Sequence, residues 1–181
     1  MRVLITAFKP FSNHSFNPSQ LYLERGIKVP FEFDAQIFDV SYQALEKFRP
    51  KDYDLIFNLG VNTNSPDISI ESIALNLDHS PQGDNQKIQR EQQTIFEDAP
   101  LALKTEINMD HGLEIKAPFK NKLSFHAGTY LCNHIFFRSL YFNKNRALFL
   151  HLPHISNREL PSLFGQLNSI VSSIYNQHRK S

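Results

Sequence analysis

The sequence has one cysteine, Cys132, no tryptophan, two methionines and only six glycines in 181 residues. One cysteine cannot form an internal disulfide, so nothing in the chain requires an oxidising compartment. Neither sign of charge is in excess: nineteen Lys plus Arg stand against eighteen Asp plus Glu, a formal charge of +1. A nucleic-acid binder carries a basic surplus gathered on one face, and neither the balance nor the spread of charge supplies it. Long apolar runs are missing as well. Val3 to Phe8 is broken at once by Lys9 and Pro10, too short for a signal-peptide core and far too short for a bilayer. The absences together predict a soluble cytoplasmic chain without a nucleic-acid or membrane partner.

What is present is ordinary globular material. Hydrophobic residues make up 41% of the chain, charged residues 20%, and there are sixteen phenylalanines. That length buries a real core without disulfides or metal, and no repeat or linker divides residues 1–181, so one domain is expected.

Several segments carry a readable period. Val3 to Ala7 is an aliphatic run of the kind found in buried parallel strands. A loop from Phe8 to Phe16 follows. Asn17 and Pro18 form a helix start, since Asn caps orphan backbone donors and Pro at the first helical position loses nothing; Leu21 to Arg25 continue the helix and Gly26 ends it. Phe31, Phe33, Ala35 and Ile37 alternate with polar residues as in a half-buried strand. Ser41 caps a short helix from Tyr42 to Phe48, and Asp54 to Gly60 is a second compact strand. Ser69 to Asn76 reads as extended, Asp78 to Gln93 as a long polar loop, and residues 94 to 121 give mixed signals. Lys122 to Phe125 predicts a strand, Tyr130 to Phe142 a helix and Ala147 to His151 a buried strand. Leu160, Leu163, Phe164, Leu167, Ile170, Val171, Ile174 and Tyr175 recur at helical spacing on one face. Alternating strands and helices predict an α/β fold, a mostly parallel central sheet with helices on both faces.

Cys132 falls at the start of a helix, where the dipole and unpaired N–H donors favour a thiolate and place donors near an oxyanion. A small core residue beside Leu131 and Ile135 is the alternative. His151 closes a buried strand, where open α/β sheets expose a crevice, and suits a base; a structural histidine is the competing reading. Glu71 is a lone carboxylate in the otherwise apolar SIESIALN, fit to orient a histidine or to face solvent on an edge strand. No metal site is expected, since Pro153 excludes a helical ligand pair in His151-Leu-Pro-His154 and Cys132-Asn-His134 matches no ligand spacing. GVNTNS lacks the second glycine and the lysine of a phosphate loop.

The ordered set Glu71, Cys132 and His151, with LITAFKPFSNHSFNPS (4–19), ISIESIALN (68–76), GDN (83–85), AGTYLCNHIF (127–136) and FLHLPHI (149–155), resembles the pyroglutamyl peptidase I family. These are cytosolic cysteine peptidases that remove an N-terminal pyroglutamyl residue without metal or cofactor. The resemblance implies an α/β/α sandwich, a peptide substrate with N-terminal pyroglutamate, and leaves a homo-oligomer open. It makes Cys132 the nucleophile, His151 the base and then the acid, and Glu71 the group that orients His151. Phe8 and Phe11 fall where the family places walls around the lactam ring, with Tyr130 a further aromatic position; Asn17 and Val61 complete the implied substrate site.

The chain also departs from the family pattern. Val61 replaces a glutamine that helps read the lactam, and Pro81 replaces an arginine that helps stabilise the oxyanion. Thr63, Asn64 and Ser65 replace a Gly-Gly-Arg loop, Ala7 and Ser12 stand where glycines are usual, and the chain is short. Arg90 or Lys87 is a candidate substitute for the missing arginine, and Asn62 or Asn64 for the missing amide. A second outcome stays open: a weakly active or inactive homologue that binds a small ligand or serves a structural role, or a thiol hydrolase of shifted acyl-amide specificity.

Overall fold

The computed structural model describes residues 1–11 and 14–180. Its elements run β1 (Val3–Phe8), α1 (Pro18–Leu21, continued by a π-helical turn Tyr22–Gly26), β2 (Asp34–Phe38), α2 (Tyr42–Glu46), β3 (Leu55–Asn62), β4 (Ile68–Glu71), β5 (Ile73–Leu75), β6 (Asp78–Ser80), β7 (Arg90–Gln93), β8 (Ala102–Lys104), α3 (Asp110–Leu113), β9 (Asn121–Ser124), α4 (Leu131–Phe142), β10 (Ala147–Pro153) and α5 (Leu160–His178). A six-stranded sheet has the order β2-β1-β3-β10-β4-β9. Its links are parallel except the antiparallel pair β10–β4. The expected mostly parallel α/β sheet is therefore present.

Strand periodicity sorts the core into two layers, as successive side chains point to opposite faces. Val3, Ile5, Phe57, Leu148, Leu150 and Leu152 pack with α5 and the Tyr22 turn. Leu4, Ile56 and Phe149 pack with Leu131, Ile135, Phe136 and Leu140 of α4 and with Tyr42 and Leu45 of α2. The sheet is thus covered on both faces. Among the described residues, no helix is long and apolar enough to cross a membrane.

The capping logic holds locally. Asn17 Oδ1 accepts from Ser19 N at 2.9 Å, and Ser41 Oγ accepts from Ala44 N at 3.1 Å. Three expectations need correction. The strand placed at Phe31 begins at Asp34 and lies at the sheet edge, mostly exposed, while Phe31 stacks on Tyr175 with ring centroids 3.9 Å apart. The extended stretch from Ser69 breaks at Ser72, after which β5 leaves the main sheet to pair with β8. The polar segment from Asp78 to Gln93 is an antiparallel hairpin of β6 and β7, not a free loop. Ser12, one of the unusual positions in the opening motif and part of the expected loop, lies outside the described residues.

Candidate active site

The three candidate residues come from different elements but meet on the face of the sheet covered by α4. In the ladder β10–β4, Phe149 opposes Glu71 and His151 opposes Ser69. His151 and Glu71 therefore lie diagonally on one face, and Glu71 Oε1 sits 2.7 Å from His151 Nδ1. Glu71 is 2% exposed, which removes the edge-strand alternative, and β4 lies inside the sheet between β10 and β9. Its Oε2 is buried without a partner among the described residues, so the imidazole is its single hydrogen-bond partner there.

The side chain of Cys132 stands near enough to the same imidazole to act on it by charge and by hydrogen bonding. Burial pulls His151 toward its neutral form, but the charge and hydrogen bond of Cys132, joined by those of Glu71, outweigh it and raise the pKa from 6.5 to about 9. Cys132 is only partly buried, packed against the core from the cavity side, which distinguishes it from an inert core thiol. It is the second residue of α4, and the first bond to a residue within the helix comes from His134 N to Tyr130 O. The N–H groups of Leu131, Cys132 and Asn133 precede that bond and form the donor-rich end of the helix.

Two glycines make this geometry possible. Gly128, at φ +80°, takes the left-handed backbone of the turn that leads into α4. Gly60 lies opposite His151 in the β3–β10 ladder, and a Cβ there would stand 2.7 Å from Phe149 Cζ and 3.1 Å from Cys132 Sγ. Its missing side chain is the space in which the thiol sits. The sequence marks Gly60 only as the end of a strand; its role against Cys132 requires the fold.

A cavity of about 530 Å³ opens over the three residues. All eight sequence-predicted positions border it: Glu71, Cys132, His151, Phe8, Phe11, Asn17, Val61 and Tyr130. Phe11 and Tyr130 meet edge to face with centroids 5.9 Å apart, and the Tyr130 hydroxyl donates to Gly83 O at 3.1 Å. The amide of Asn17 is engaged at both ends: Nδ2 donates to Lys9 O at 3.1 Å, and Oδ1 accepts from Ser19 N and from Ser19 Oγ. Asn17 thus shapes the wall by fixing the loop after β1.

The departures from the family pattern fall out as follows. Asn62, Thr63 and Asn64 border the cavity. Ser65 does not, and accepts from Lys122 Nζ at 3.1 Å. Arg90 points elsewhere, which corrects its candidacy: Nη1 donates to Asp78 Oδ2 at 2.7 Å, Nη2 to Glu46 Oε1, and the guanidinium covers the Tyr42 ring at 4.1 Å. Lys87 is exposed in the hairpin turn and is not on the cavity wall. Among the wall residues that were not anticipated are Gln82, His14, His126 and His154. Gln82 lies in the segment read as loop, where no period signals a direction. Among the described residues no group of three His, Cys, Asp or Glu side chains is placed to hold a metal ion.

Comparison with known proteins places the chain in a family. The pyroglutamyl peptidase family model matches residues 1–174. Among relatives, the pyrrolidone-carboxylate peptidase of Thermococcus litoralis is 29% identical over 188 residues, covering 90% of this chain and 81% of that one. Pyrrolidone-carboxylate peptidase 1 of Caldanaerobacter subterraneus subsp. tengcongensis is 30% identical, with 88% and 86% covered. The crystal structure of the Thermus thermophilus pyrrolidone carboxyl peptidase superposes with a TM-score of 0.82 at 26% identity, over 94% of this chain and 99% of that one. The Thermococcus litoralis enzyme gives 0.81 at 25%, over 99% and 96%. With the family match running through β1 to α5 and the same fold shared end to end, the chain belongs to the pyroglutamyl peptidase family.

Proposed function

We propose that the protein is a cysteine peptidase that removes an N-terminal pyroglutamyl residue from peptides, with Cys132, His151 and Glu71 as its triad. The observation that carries this reading is a histidine bonded to a buried carboxylate and raised in pKa by a helix-start thiol beside it, on the wall of an aromatic-lined cavity.

The roles follow from the atoms. His151 takes the thiol proton of Cys132, the resulting thiolate Sγ attacks the pyroglutamyl carbonyl carbon, and the N–H groups at the start of α4 receive the developing oxyanion. The His151 imidazolium gives its proton to the departing amine as the C–N bond breaks, leaving a thioester on Cys132. His151, now neutral, takes a proton from water, whose oxygen attacks the thioester and releases pyroglutamate. Glu71, on Nδ1, fixes the tautomer and offsets the imidazolium charge. Phe8, Phe11 and Tyr130 clasp the lactam ring, with Val61 as apolar wall. The family's arginine position is Pro81, so the oxyanion relies on backbone donors; loss of one oxyanion donor costs on the order of a hundredfold to a thousandfold, and turnover slower than that of arginine-bearing members is expected. The same reading puts the enzyme in the cytoplasm and leaves a homo-oligomer open.

Incubation with a fluorogenic pyroglutamyl amide tests this. Wild type releases the fluorophore and Cys132→Ala releases none; absent release in wild type, or equal release in the variant, rules the reading out and favours a binding or structural role for the cavity.

A further inference from the structure

A five-membered lactam held between aromatic rings still presents a carbonyl acceptor and an N–H donor on its edge. Desolvating either without a partner is costly, so the walls must supply a matching pair. Phe8, Phe11 and Val61 have no polar side-chain atoms, and the Tyr130 hydroxyl is already given to Gly83 O. The amides that border the cavity are Asn17, Asn62, Asn64 and Gln82. Asn17 has both ends engaged. Asn62 Oδ1 accepts from Asn64 N at 3.0 Å, which occupies one of its two lone pairs and ties the side chain to its own turn.

Asn64 and Gln82 keep side-chain amides with no hydrogen bond among the described residues, and their positions differ. Asn64 belongs to the turn that follows β3, next to Ser65, which is tied to Lys122. Gln82 immediately precedes Gly83, the residue whose carbonyl anchors Tyr130, so it stands beside the aromatic wall. Its backbone is fixed on both sides. Ser80 Oγ accepts from Gln82 N at 3.2 Å and donates to Gln82 O at 2.9 Å. Two residues on, Asp84 Oδ1 accepts from Gln86 N and Ile88 N, while Oδ2 accepts from Tyr42 N. The loop is therefore held in place by buried acceptors, while the Gln82 side chain is exposed and borders the cavity.

A carboxamide carries one acceptor and an NH₂ donor, the complement of a secondary lactam edge. We infer that Gln82 is the specificity-determining residue of this pocket, reading the ring amide of the lactam from the hairpin side. The inference rests on the pyroglutamyl reading above and names the residue that separates a lactam from a carbocycle of the same shape. Gln82 acts on binding common to ground and transition states, so its loss raises KM and leaves kcat unchanged.

The test measures calorimetric binding of 2-pyrrolidinone and of cyclopentanone to wild type, Gln82→Met and Gln82→Ala, alongside kcat and KM on the pyroglutamyl amide. The lactam is expected to bind both variants roughly tenfold or more weakly than wild type, with cyclopentanone unchanged and the KM rise matching the lactam loss. Lactam binding equal in wild type and variants overturns the inference and leaves the peptidase reading standing. An equal loss for lactam and cyclopentanone also overturns it, since shape and not the amide is then being read. Wild type that neither turns over the amide nor binds 2-pyrrolidinone overturns the peptidase reading, and this inference with it.

Discussion

Cys132, His151 and Glu71 were each legible as residue types in suggestive places: a helix start, the end of a buried strand, and a carboxylate among apolar neighbours. What the sequence could not display is the diagonal β10–β4 relation that sets Nδ1 2.7 Å from Oε1, because it depends on one antiparallel link in a parallel sheet. The resulting environment predicts a pH profile. Below about pH 9 His151 holds the proton that the leaving amine needs, and above it the proton is lost, so kcat/KM falls on an alkaline limb near that value. Cys132→Ala removes the main influences that raise the imidazole, so its titration, followed by NMR, moves down from about 9. A variant that still titrates near 9 contradicts this attribution. Gly60 yields a steric prediction. Gly60→Ala sets a methyl 2.7 Å from Phe149 Cζ and 3.1 Å from Cys132 Sγ, which costs about 1–3 kcal/mol of stability and displaces the nucleophile. Full activity and an unchanged denaturant midpoint would exclude the contact.

Elements with strong apolar periods were readable and the hairpin of β6 and β7 was not. Val3 to Phe8, Ala147 to Pro153 and the α5 face declare themselves because burial selects their residues directly. The hairpin shows a polar sequence because its order comes from charge and from backbone donors. Asp78, fully buried, receives Arg90 Nη1 at 2.7 Å, and His134 Nδ1 of α4 lies 2.8 Å from the same oxygen. This ties the hairpin, with Gln82 and Gly83 at its turn, to the helix that carries Cys132. Removing one partner of a buried charge cluster strands the others, so Asp78→Ala is expected to cost about 3–5 kcal/mol in denaturant unfolding. It should also loosen Tyr130, raising KM for the pyroglutamyl amide. A cost below about 1 kcal/mol would show that the cluster does not hold the hairpin.

For the whole molecule, the alternation of strands and helices was enough to anticipate helices on both faces, whereas the single antiparallel link and the separate two-stranded sheets were decided by tertiary packing. His151 also ties global stability to pH. The folded-state value of His151 lies above its ordinary value, so its contribution is fully present below about pH 6.5 and is lost as pH rises through about 9. Wild type should therefore lose more stability than His151→Gln between those limits, as read from unfolding midpoints; parallel curves would contradict the linkage. The central claim is that Cys132 carries the pyroglutamyl group during turnover, and rapid acid quenching of enzyme with substrate, followed by peptide mass spectrometry, reads it directly. Wild type should carry a pyroglutamyl thioester on the peptide containing Cys132, and Cys132→Ala none. Turnover without that adduct, or an adduct on another residue, would contradict it.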